Sequence, residues 1–285
     1  MKLGLSLSGG GVKGAAHIGV LKALEEDNIR IDSIAGTSSG SIVAILYAMG
    51  FSSDEIYKIF KKYCKKIGYI ELKNIFKLIY GIFVKKKIII DGLNSGKKIE
   101  KMINEIGKEK NIFNISDIKM PLVIPAVDMY SGKVICFSSF NNKKRILSNT
   151  IFINSANIGK VVRASCSYPV VFSPCEFDSS KLIDGGIREN TPWRELKEIG
   201  TEKVISVVFK EDFDKKCCLN IVEVAGRSIN LICNELSNYE WDGTDYLMEI
   251  KSKKIGLLDM DKIEELYNLG YTQAKECLKN LNLKV

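Results

Sequence analysis

The chain opens with two successive units in which an apolar strand pattern runs through a glycine-containing turn into a helix pattern. In the first unit, leucines alternate with smaller residues over residues 2–8, and apolar side chains recur at helical spacing over residues 12–26. The second unit repeats this order, with a short strand candidate at residues 31–35 and small, aliphatic residues at 39–49. Alternating strand and helix patterns are typical of a parallel sheet covered by helices. The sequence therefore predicts an α/β fold with a mostly parallel central sheet.

Further patterns continue this alternation along the rest of the chain. Strand patterns occur at residues 122–128, 133–138, 182–183, 203–209 and 247–250, and helix patterns at 53–66, 71–84, 94–106, 157–164, 192–200, 219–238 and 261–281. All 5 Pro lie between Pro121 and Pro192, where we expect most of the loops. Because no repeat, low-complexity tract or linker divides the chain, we predict a single domain over residues 1–285.

The composition excludes several classes of protein. Of the 285 residues, 46% are hydrophobic and 27% are charged, which excludes a disordered or collagen-like chain. The 8 Cys form no CxxC pair, so buried thiols in a reducing compartment are a better interpretation than a zinc site or a disulfide framework. The apolar start is too short for a signal peptide, and the most apolar stretch, residues 75–84, is shorter than the roughly 20 residues of a membrane-spanning helix. We therefore expect a cytoplasmic protein.

Positive charge is concentrated in one part of the chain. The formal net charge is +8, but residues 58–110 hold 15 Lys against 5 acidic residues, a local net charge of +10. The helix patterns at 53–66 and 71–84 carry most of this excess and place apolar residues every three or four positions. We predict a Lys-rich helical insertion at about residues 53–110. It could be membrane-peripheral, docking to an anionic bilayer, or it could be a cap that packs its apolar face on the core and leaves its lysines in water.

Residues 36–40 form a GxSxG pattern, with the sequence GTSSG, between a strand pattern and a helix pattern. In a nucleophile elbow the central serine occupies a strained turn, and the flanking Gly36 and Gly40 let the strand and the helix approach each other. Ser38 is then a candidate nucleophile, and the N–H group of Ser39 at the helix start would point at a developing oxyanion. The alternative role for Ser38 is a helix N-cap.

A second glycine-rich turn lies upstream, at residues 9–14, also between a strand and a helix. Successive N–H groups at a helix N-terminus bind negative charge, either a phosphate or the oxyanion of acyl transfer. Gly9, Gly11 and Gly14 also satisfy the GxGxxG pattern of dinucleotide-binding proteins, with Asp32 about 20 residues further on. However, Asp32 opens its strand, which is the wrong edge of the sheet for binding a ribose. A P-loop is excluded, because Ala15 stands where its lysine should be.

The chain contains 1 His, so a Ser-His-Asp triad must use His17 or not exist. His17 precedes Ser38, whereas the histidine of the usual hydrolase order follows the serine and the acid. We therefore predict that His17 has a packing role. If Ser38 acts, the candidate for its base is Asp184, which lies between a short apolar strand and the two glycines Gly185 and Gly186. The alternative for Asp184 is an Asx turn.

Taken together, the three motifs resemble those of the patatin-like phospholipase family, whose members combine a glycine-rich oxyanion loop, a GxSxG elbow and a DG[AG] motif. In this chain they occupy residues 9–14, 36–40 and 184–186, in that order. The flanks are similar as well, with KGAAHIGVL at residues 13–21, ASCSYPVVFSP at 164–174 and NTP at 190–192. The resemblance extends over at least residues 3–209, whereas the chain beyond it and the Lys-rich insertion carry no motif of the family.

The resemblance implies a three-layer α/β/α fold and a Ser-Asp dyad that hydrolyses fatty acyl esters, with phospholipids or lysophospholipids as the leading substrates. It implies no metal, no cofactor and no nucleic-acid partner. Carried over by position, Ser38 is the nucleophile and Asp184 the general base. The candidate oxyanion-hole residues are Gly9, Gly10, Gly11 and Ser39, with Gly10 and Gly11 as the leading donors. The remaining motif glycines are Gly14, Gly36, Gly40, Gly185 and Gly186.

Other functions stay open from the sequence. The same dyad could serve an acyltransferase or a general carboxylesterase. The Gly-rich loop could bind a dinucleotide, and the Lys-rich helices could belong to a membrane-binding module without catalysis. Arg163 and Arg188 are candidate phosphate contacts, with surface solvation as the alternative for each.

Overall fold

The computed structural model describes residues 2–64, 71–140, 147–210, 221–252, 255 and 259–280. Within these ranges the strands are β1 (Leu3–Leu7), β2 (Ser33–Gly36), β3 (Leu122–Asp128), β4 (Val134–Ser138), β5 (Thr150–Ile153), β6 (Cys175–Phe177), β7 (Ser180–Asp184), β8 (Lys203–Lys210) and β9 (Tyr246–Lys251). The α-helices are α1 (Gly14–Glu26), α2 (Ser39–Ala48), α3 (Ser53–Cys64), α4 (Leu72–Tyr80), α5 (Lys97–Glu109), α6 (Ile158–Ser165), α7 (Trp193–Glu198), α8 (Ile221–Glu240) and α9 (Ile263–Asn280). Residues 65–66, 219–220 and 281, at the ends of predicted helices, lie outside the described residues.

The strands join in one mixed sheet whose main path runs in the order β5-β4-β3-β2-β1-β8-β9. Neighbours along this path are parallel except for β3 and β4, which pair antiparallel. β7 also pairs antiparallel with β3, and β6 pairs antiparallel with β7. The predicted α/β fold with a mostly parallel sheet is confirmed.

On the side of β3 opposite to β4, two strands share its length, and their ends are brought together. Its first half pairs with β2, with Leu122 opposite Ile34. Its second half pairs with β7, with Ala126 opposite Asp184. β2 and β7 therefore run toward each other along the same side of β3. The turn that follows Gly36 at the end of β2 meets Asp184 at the end of β7.

The two faces of the sheet are packed differently. Leu3, Leu5 and Leu7 of β1 point to one face, where they form the main core with α1, α2, α6 and α9. On the opposite face α7 packs against β1, β2 and β8. A Cβ atom on Gly4 would lie 3.2 Å from Cδ1 of Leu196 in α7, so the glycine is what allows this close approach. The sheet thus has helices on both faces, as the three-layer prediction requires.

Differences from the sequence prediction are local. The first helix begins at Gly14 and not at residue 12, because a 3-10 turn occupies Gly11–Lys13. Gly11 has a positive φ of 60°, which turns the chain sharply at the end of the preceding loop. The sequence does not predict β5 or β6, whose 4 and 3 residues are too few to show a periodic pattern. These short strands lie in the region in which loops are expected.

The helices of the Lys-rich insertion differ in how they pack. Ile56 and Phe60 of α3 are buried, as are Ile99 and Ile103 of α5. In α4, by contrast, the buried residue is Asn74, and a π-helical turn at Gly81–Lys85 continues the helix. α3 and α5 therefore pack apolar side chains on the core, whereas α4 leaves most of its large apolar side chains exposed. In the described part of the chain, no helix combines the length and the apolar character that a membrane span requires.

Candidate active site

Ser38 occupies the sharp turn between β2 and α2. Its φ of 52° and ψ of −122° lie outside the regions that residues with a side chain normally adopt. The turn is so tight that neither flanking glycine has room for a side chain. A Cβ atom on Gly36 would collide with the carbonyl oxygen of Gly40, and a Cβ atom on Gly40 would collide with the carbonyl oxygen of Leu7. Ser38 makes no capping hydrogen bond with its side chain, so the N-cap alternative does not apply. The geometry is that of a nucleophile elbow.

The hydroxyl of Ser38 donates a hydrogen bond of 2.6 Å to Oδ2 of Asp184. The other carboxylate oxygen, Oδ1, accepts the N–H group of Gly186 at 2.8 Å. The backbone of Asp184 is also held, because its N–H group donates to the carbonyl oxygen of Ser167 at 3.0 Å. Asp184 therefore makes the expected Asx-type turn with one oxygen and faces the Ser38 hydroxyl with the other.

Burial raises the pKa of Asp184 from its usual value of 3.8 to about 7. The hydrogen bonds from Ser38 and Gly186 favour the ionised form and lower the pKa, but they offset only part of the burial effect. A carboxyl group with a pKa near the pH of the solution can both take up and release a proton readily. The environment of Asp184 is thus suited to a general base.

The glycine-rich loop lies directly beside this pair. The N–H group of Gly9 donates to Oδ1 of Asn190 at 2.9 Å, so this amide is already engaged and the expectation that it is an oxyanion donor is not supported. Among the described residues, none accepts a hydrogen bond from the amides of Gly10, Gly11 or Ser39. Those three N–H groups are left as the candidate donors to an oxyanion.

Gly14 brings the loop and the elbow together. A Cβ atom on Gly14 would lie 2.9 Å from Cβ of Ser39 and 3.3 Å from the ring of Phe60. The start of α1 therefore packs directly against the start of α2. Because both helices begin at the same edge of the sheet, their N-termini present amide groups and positive partial charge to one point.

His17 is fully buried and its Nε2 atom lies 2.7 Å from the carbonyl oxygen of Ser8. Its ring packs against Phe209 at 4.6 Å between centroids. Burial lowers the pKa of His17 to about 4, so the imidazole is neutral at neutral pH, although its contact with the Ser8 carbonyl opposes this shift. The prediction that His17 has a packing role is confirmed by these contacts.

Three site residues are missed by the sequence analysis. Oγ of Ser165 accepts the N–H group of Ser38 at 3.0 Å and so helps to hold the strained turn. Asn190 holds the glycine loop through Gly9 and is itself held by Glu240, whose Oε2 accepts the Asn190 N–H group at 3.0 Å. Burial raises the pKa of Glu240 to about 7. Asn190 lies in the NTP flank of the third motif, but no local pattern connects it with Gly9 or Glu240.

The other sequence candidates lie elsewhere. Asp32 precedes β2 at the edge of the sheet opposite to the glycine loop, where it accepts the N–H group of Leu3 at 3.0 Å, so it cannot serve a nucleotide at that loop. Arg163 pairs with Glu100 at 3.0 Å, and Arg188 donates to the carbonyl oxygen of Gly132. Over the described ranges, His, Cys, Asp and Glu form no group of three or more that could hold a metal ion.

Comparisons with known proteins show what the chain is similar to. The family model for patatin-like phospholipases matches residues 5–197, which include all three motifs. The lysophospholipase NTE1 of Candida albicans is 29% identical over 206 residues, covering 72% of this chain but only 13% of the yeast protein. The uncharacterized protein YqhO of Bacillus subtilis is 30% identical over 203 residues, covering 67% of this chain and 66% of that protein.

A solved structure shares the fold. The crystal structure of VipD from Legionella pneumophila superposes with a TM-score of 0.50 at 15% sequence identity, covering 98% of this chain and 67% of VipD. The family match spans the strand-turn-helix units that carry the glycine loop and Ser38, as well as the turn that carries Asp184. On the strength of this match, the chain belongs to the patatin-like phospholipase family.

Proposed function

We propose that this chain is a lipid acyl hydrolase that cleaves fatty acyl ester bonds of phospholipids or lysophospholipids through the Ser38–Asp184 dyad. The observation that carries the proposal is the 2.6 Å hydrogen bond from the Ser38 hydroxyl to Asp184 in a turn that also faces unengaged amides. Family membership supports the substrate class. The name of the yeast relative, lysophospholipase, supports a lysophospholipid, which carries one acyl chain, as a substrate.

In the first half of the reaction, Oγ of Ser38 attacks the ester carbonyl carbon and its proton passes to Oδ2 of Asp184. The carbonyl oxygen becomes an oxyanion that accepts hydrogen bonds from the amides of Gly10, Gly11 and Ser39. The tetrahedral intermediate then expels the alcohol, which takes the proton from Asp184. An acyl group remains on Ser38.

In the second half, water attacks the acyl carbon and gives a proton to Asp184. The intermediate collapses, the bond between the acyl carbon and Oγ breaks, and Asp184 returns the proton to Ser38. The fatty acid leaves and the dyad is restored. His17 takes no part in this cycle, because its imidazole is buried and its Nε2 atom faces the Ser8 carbonyl.

We also propose that residues 1–285 function as one domain. β8 and α9 lie beyond the family match at residues 5–197, yet β8 pairs with β1 along the full length of that strand. α9 packs tightly on α1, since a Cβ atom on Gly19 would collide with the carbonyl oxygen of Tyr267. Both C-terminal elements therefore support the strand and the helix on either side of the glycine loop.

The proposal is tested by intact-protein mass after exposure to a fluorophosphonate lipid analogue, which phosphonylates an activated serine. We expect one adduct on the wild type and on Ser228→Ala, which removes an exposed hydroxyl on α8, and none on Ser38→Ala. Asp184→Asn should slow the labelling strongly, because the base is lost. An unlabelled but folded wild type, with and without phospholipid vesicles, would contradict the proposal.

The rate is expected to rise with pH through the pKa of Asp184. The base acts only when ionised, so kcat/KM for a soluble short-chain ester should fall about tenfold per pH unit below about 7 and level off above it. This gives about a 100-fold difference between pH 5 and pH 8. The imidazole of His17, with a pKa of about 4, stays neutral over this interval.

The matched control for the pH profile is Glu240→Gln, because burial also raises the pKa of Glu240 to about 7. A glutamine oxygen can still accept the N–H group of Asn190, which Glu240 accepts at 3.0 Å. We expect this variant to keep the inflection. A flat wild-type profile, or an inflection that disappears with Glu240, would assign the proton transfer to a group other than Asp184.

A further inference from the structure

Residues 72–89, which we call the docking surface, present large apolar side chains to solvent. Leu72 is 74% exposed, Phe76 70%, Phe83 77% and Ile88 72%. Soluble domains expose single apolar residues at many places, but a contiguous set of leucine, isoleucine and phenylalanine side chains on one segment is typical of an interaction site. This segment is therefore the strongest candidate for a surface that another body covers.

The exposure follows from how α4 is attached. Its one buried residue is Asn74, whose Nδ2 donates to the carbonyl oxygen of Gly92 at 3.2 Å. Gly81 is buried as well and accepts the N–H group of Lys87 at 3.0 Å. Asn74 and Gly81 thus face the protein, with Ile75 and Leu78 half-buried beside them, while most of the large apolar side chains of this segment face outward. This is the reverse of a helix that packs its apolar face on a core.

The charges of the docking surface have one sign. It contains 5 Lys and no acidic residue. Lys73 pairs with Glu71 at 2.8 Å, but among the described residues no carboxylate pairs with Lys77, Lys85, Lys86 or Lys87. Exposed apolar residues beside these lysines are complementary to a partner that has an apolar interior and an anionic outer layer.

Hydrogen bonds attach the segment that follows the docking surface to the segment that precedes the strand of Asp184. The chain that leaves it donates from the N–H groups of Leu93 and Asn94 to the carbonyl oxygens of Val170 and Val171. Only a few residues before these, Ser167 accepts the N–H group of Asp184.

A second exposed apolar group lies at the edge of the sheet that carries Ser38. Met129 and Tyr130, which are 53% and 68% exposed, follow the C-terminal end of β3. β3 is parallel to β2, and Ser38 follows the C-terminal end of β2. Met129 and Tyr130 therefore lie toward the edge of the sheet at which Ser38 is found.

We propose that the docking surface inserts its apolar side chains into the headgroup boundary of an anionic phospholipid bilayer, with its lysines on the lipid phosphates. In this position the edge of the sheet that carries Ser38 faces the lipid. The choice of a lipid surface rests on the proposed function. A second copy of the chain is a poor occupant, because it would bring two sets of unpaired lysines together, and a soluble polyanion would leave the phenylalanines in water.

The test is co-sedimentation with vesicles, made on the Ser38→Ala background so that no lipid is consumed. We expect binding to vesicles of phosphatidylcholine with phosphatidylglycerol and at least tenfold weaker binding to phosphatidylcholine alone. Replacing Lys77, Lys85, Lys86 and Lys87 with glutamine should weaken binding to the anionic vesicles at least tenfold. Phe76→Ser with Phe83→Ser should do the same while leaving the charge unchanged.

The matched control removes four exposed lysines of α5 by glutamine substitution, at Lys97, Lys98, Lys101 and Lys108. It lowers the net charge equally but leaves the docking surface intact, so binding should stay within about twofold of its original strength. Equal losses in the two lysine variants would overturn the proposal, as would a lack of binding. A dimer in analytical ultracentrifugation that Phe76→Ser with Phe83→Ser dissociates would show that a second copy covers the surface instead.

Activity separates this proposal from the proposed function. With Ser38 intact, the docking variants should hydrolyse a soluble short-chain ester at the wild-type rate and lose activity only on vesicles. If no ester is hydrolysed but binding keeps the expected order among the variants, docking stands and the hydrolase proposal fails. If the soluble ester is hydrolysed and the variants bind vesicles as the wild type does, the hydrolase stands and docking fails.

Discussion

Replacing Asp184 with asparagine is expected to lower kcat/KM for a soluble ester at least a thousandfold and, at pH 8, to raise the melting temperature. The activity falls because an amide cannot take the proton that Ser38 must lose, and proton transfer with correct positioning supplies factors of this size. The asparagine can still accept the Ser38 hydroxyl, so the elbow geometry survives. Steady-state kinetics and thermal unfolding of the same samples test both parts.

The stability gain follows from the sign of the pKa shift. The pKa of Asp184 is about 7 in the folded protein and near its usual 3.8 in the unfolded chain. The folded state therefore binds the proton more tightly, and stability falls as the pH rises from about 4 to about 7. A shift of this size means that the ionised carboxylate lowers the free energy of unfolding by about 4 kcal/mol at pH 8. The amide has one accepting oxygen and so loses one of the two hydrogen bonds that the carboxylate accepts, which costs about 1 kcal/mol. The gain should disappear near pH 4.

Asp128→Asn is the matched control, because Asp128 also ends a strand of the sheet. Although burial opposes the shift, hydrogen bonds from the Ser131 side chain and the amides of Tyr130 and Ser131 lower the pKa of Asp128. Its replacement should lower the melting temperature at pH 8 and leave catalysis within a few fold of wild type. If both variants destabilise the protein equally, Asp184 is not held in an environment that disfavours its charge.

Ser38 could be recognised as the candidate nucleophile from the sequence because the elbow is a local structure. Its requirements fall within five consecutive residues, since Gly36 and Gly40 are needed for contacts inside the turn and with the adjoining strand. Asp184 lies 146 residues from Ser38, and no periodicity connects them. The lack of a suitable histidine and the family resemblance are what make Asp184 the candidate base. The structural reason for the pairing is that β2 and β7 meet head-on beside β3.

Other features of the site could not be predicted, because they depend on long-range contacts. Asn190 contacts Gly9 across 181 residues and Glu240 across 50. The orientation of α4 is a different case. Its periodicity shows that Phe76 and Ile79 share a face, but a repeat does not say whether that face meets the core or the solvent. The buried Asn74 decides this, and its partner is the backbone of Gly92.

Gly10→Ala is expected to lower kcat for a soluble ester by a factor of about 100 to 1,000, with a much smaller change in KM. A Cβ atom at this position would lie 2.7 Å from Cδ2 and 2.8 Å from Cε2 of Phe209. The Phe209 ring cannot move aside easily, since it is buried and packs on His17. The loop must shift instead, and the amides of Gly10 and Gly11 leave the position of the oxyanion.

A second substitution separates this steric effect from a general loss of structure. Phe209→Val removes both ring atoms that the new Cβ would meet, so the double variant should recover at least tenfold of the lost kcat. Gly226→Ala is the matched control, because a Cβ at Gly226 has open space around it, and it should leave kcat unchanged. Wild-type kcat in Gly10→Ala would remove Gly10 from the oxyanion hole. A folded double variant without any recovery would mean that the Phe209 ring is not what fixes the loop, and the position of the amides would then depend on Asn190 alone.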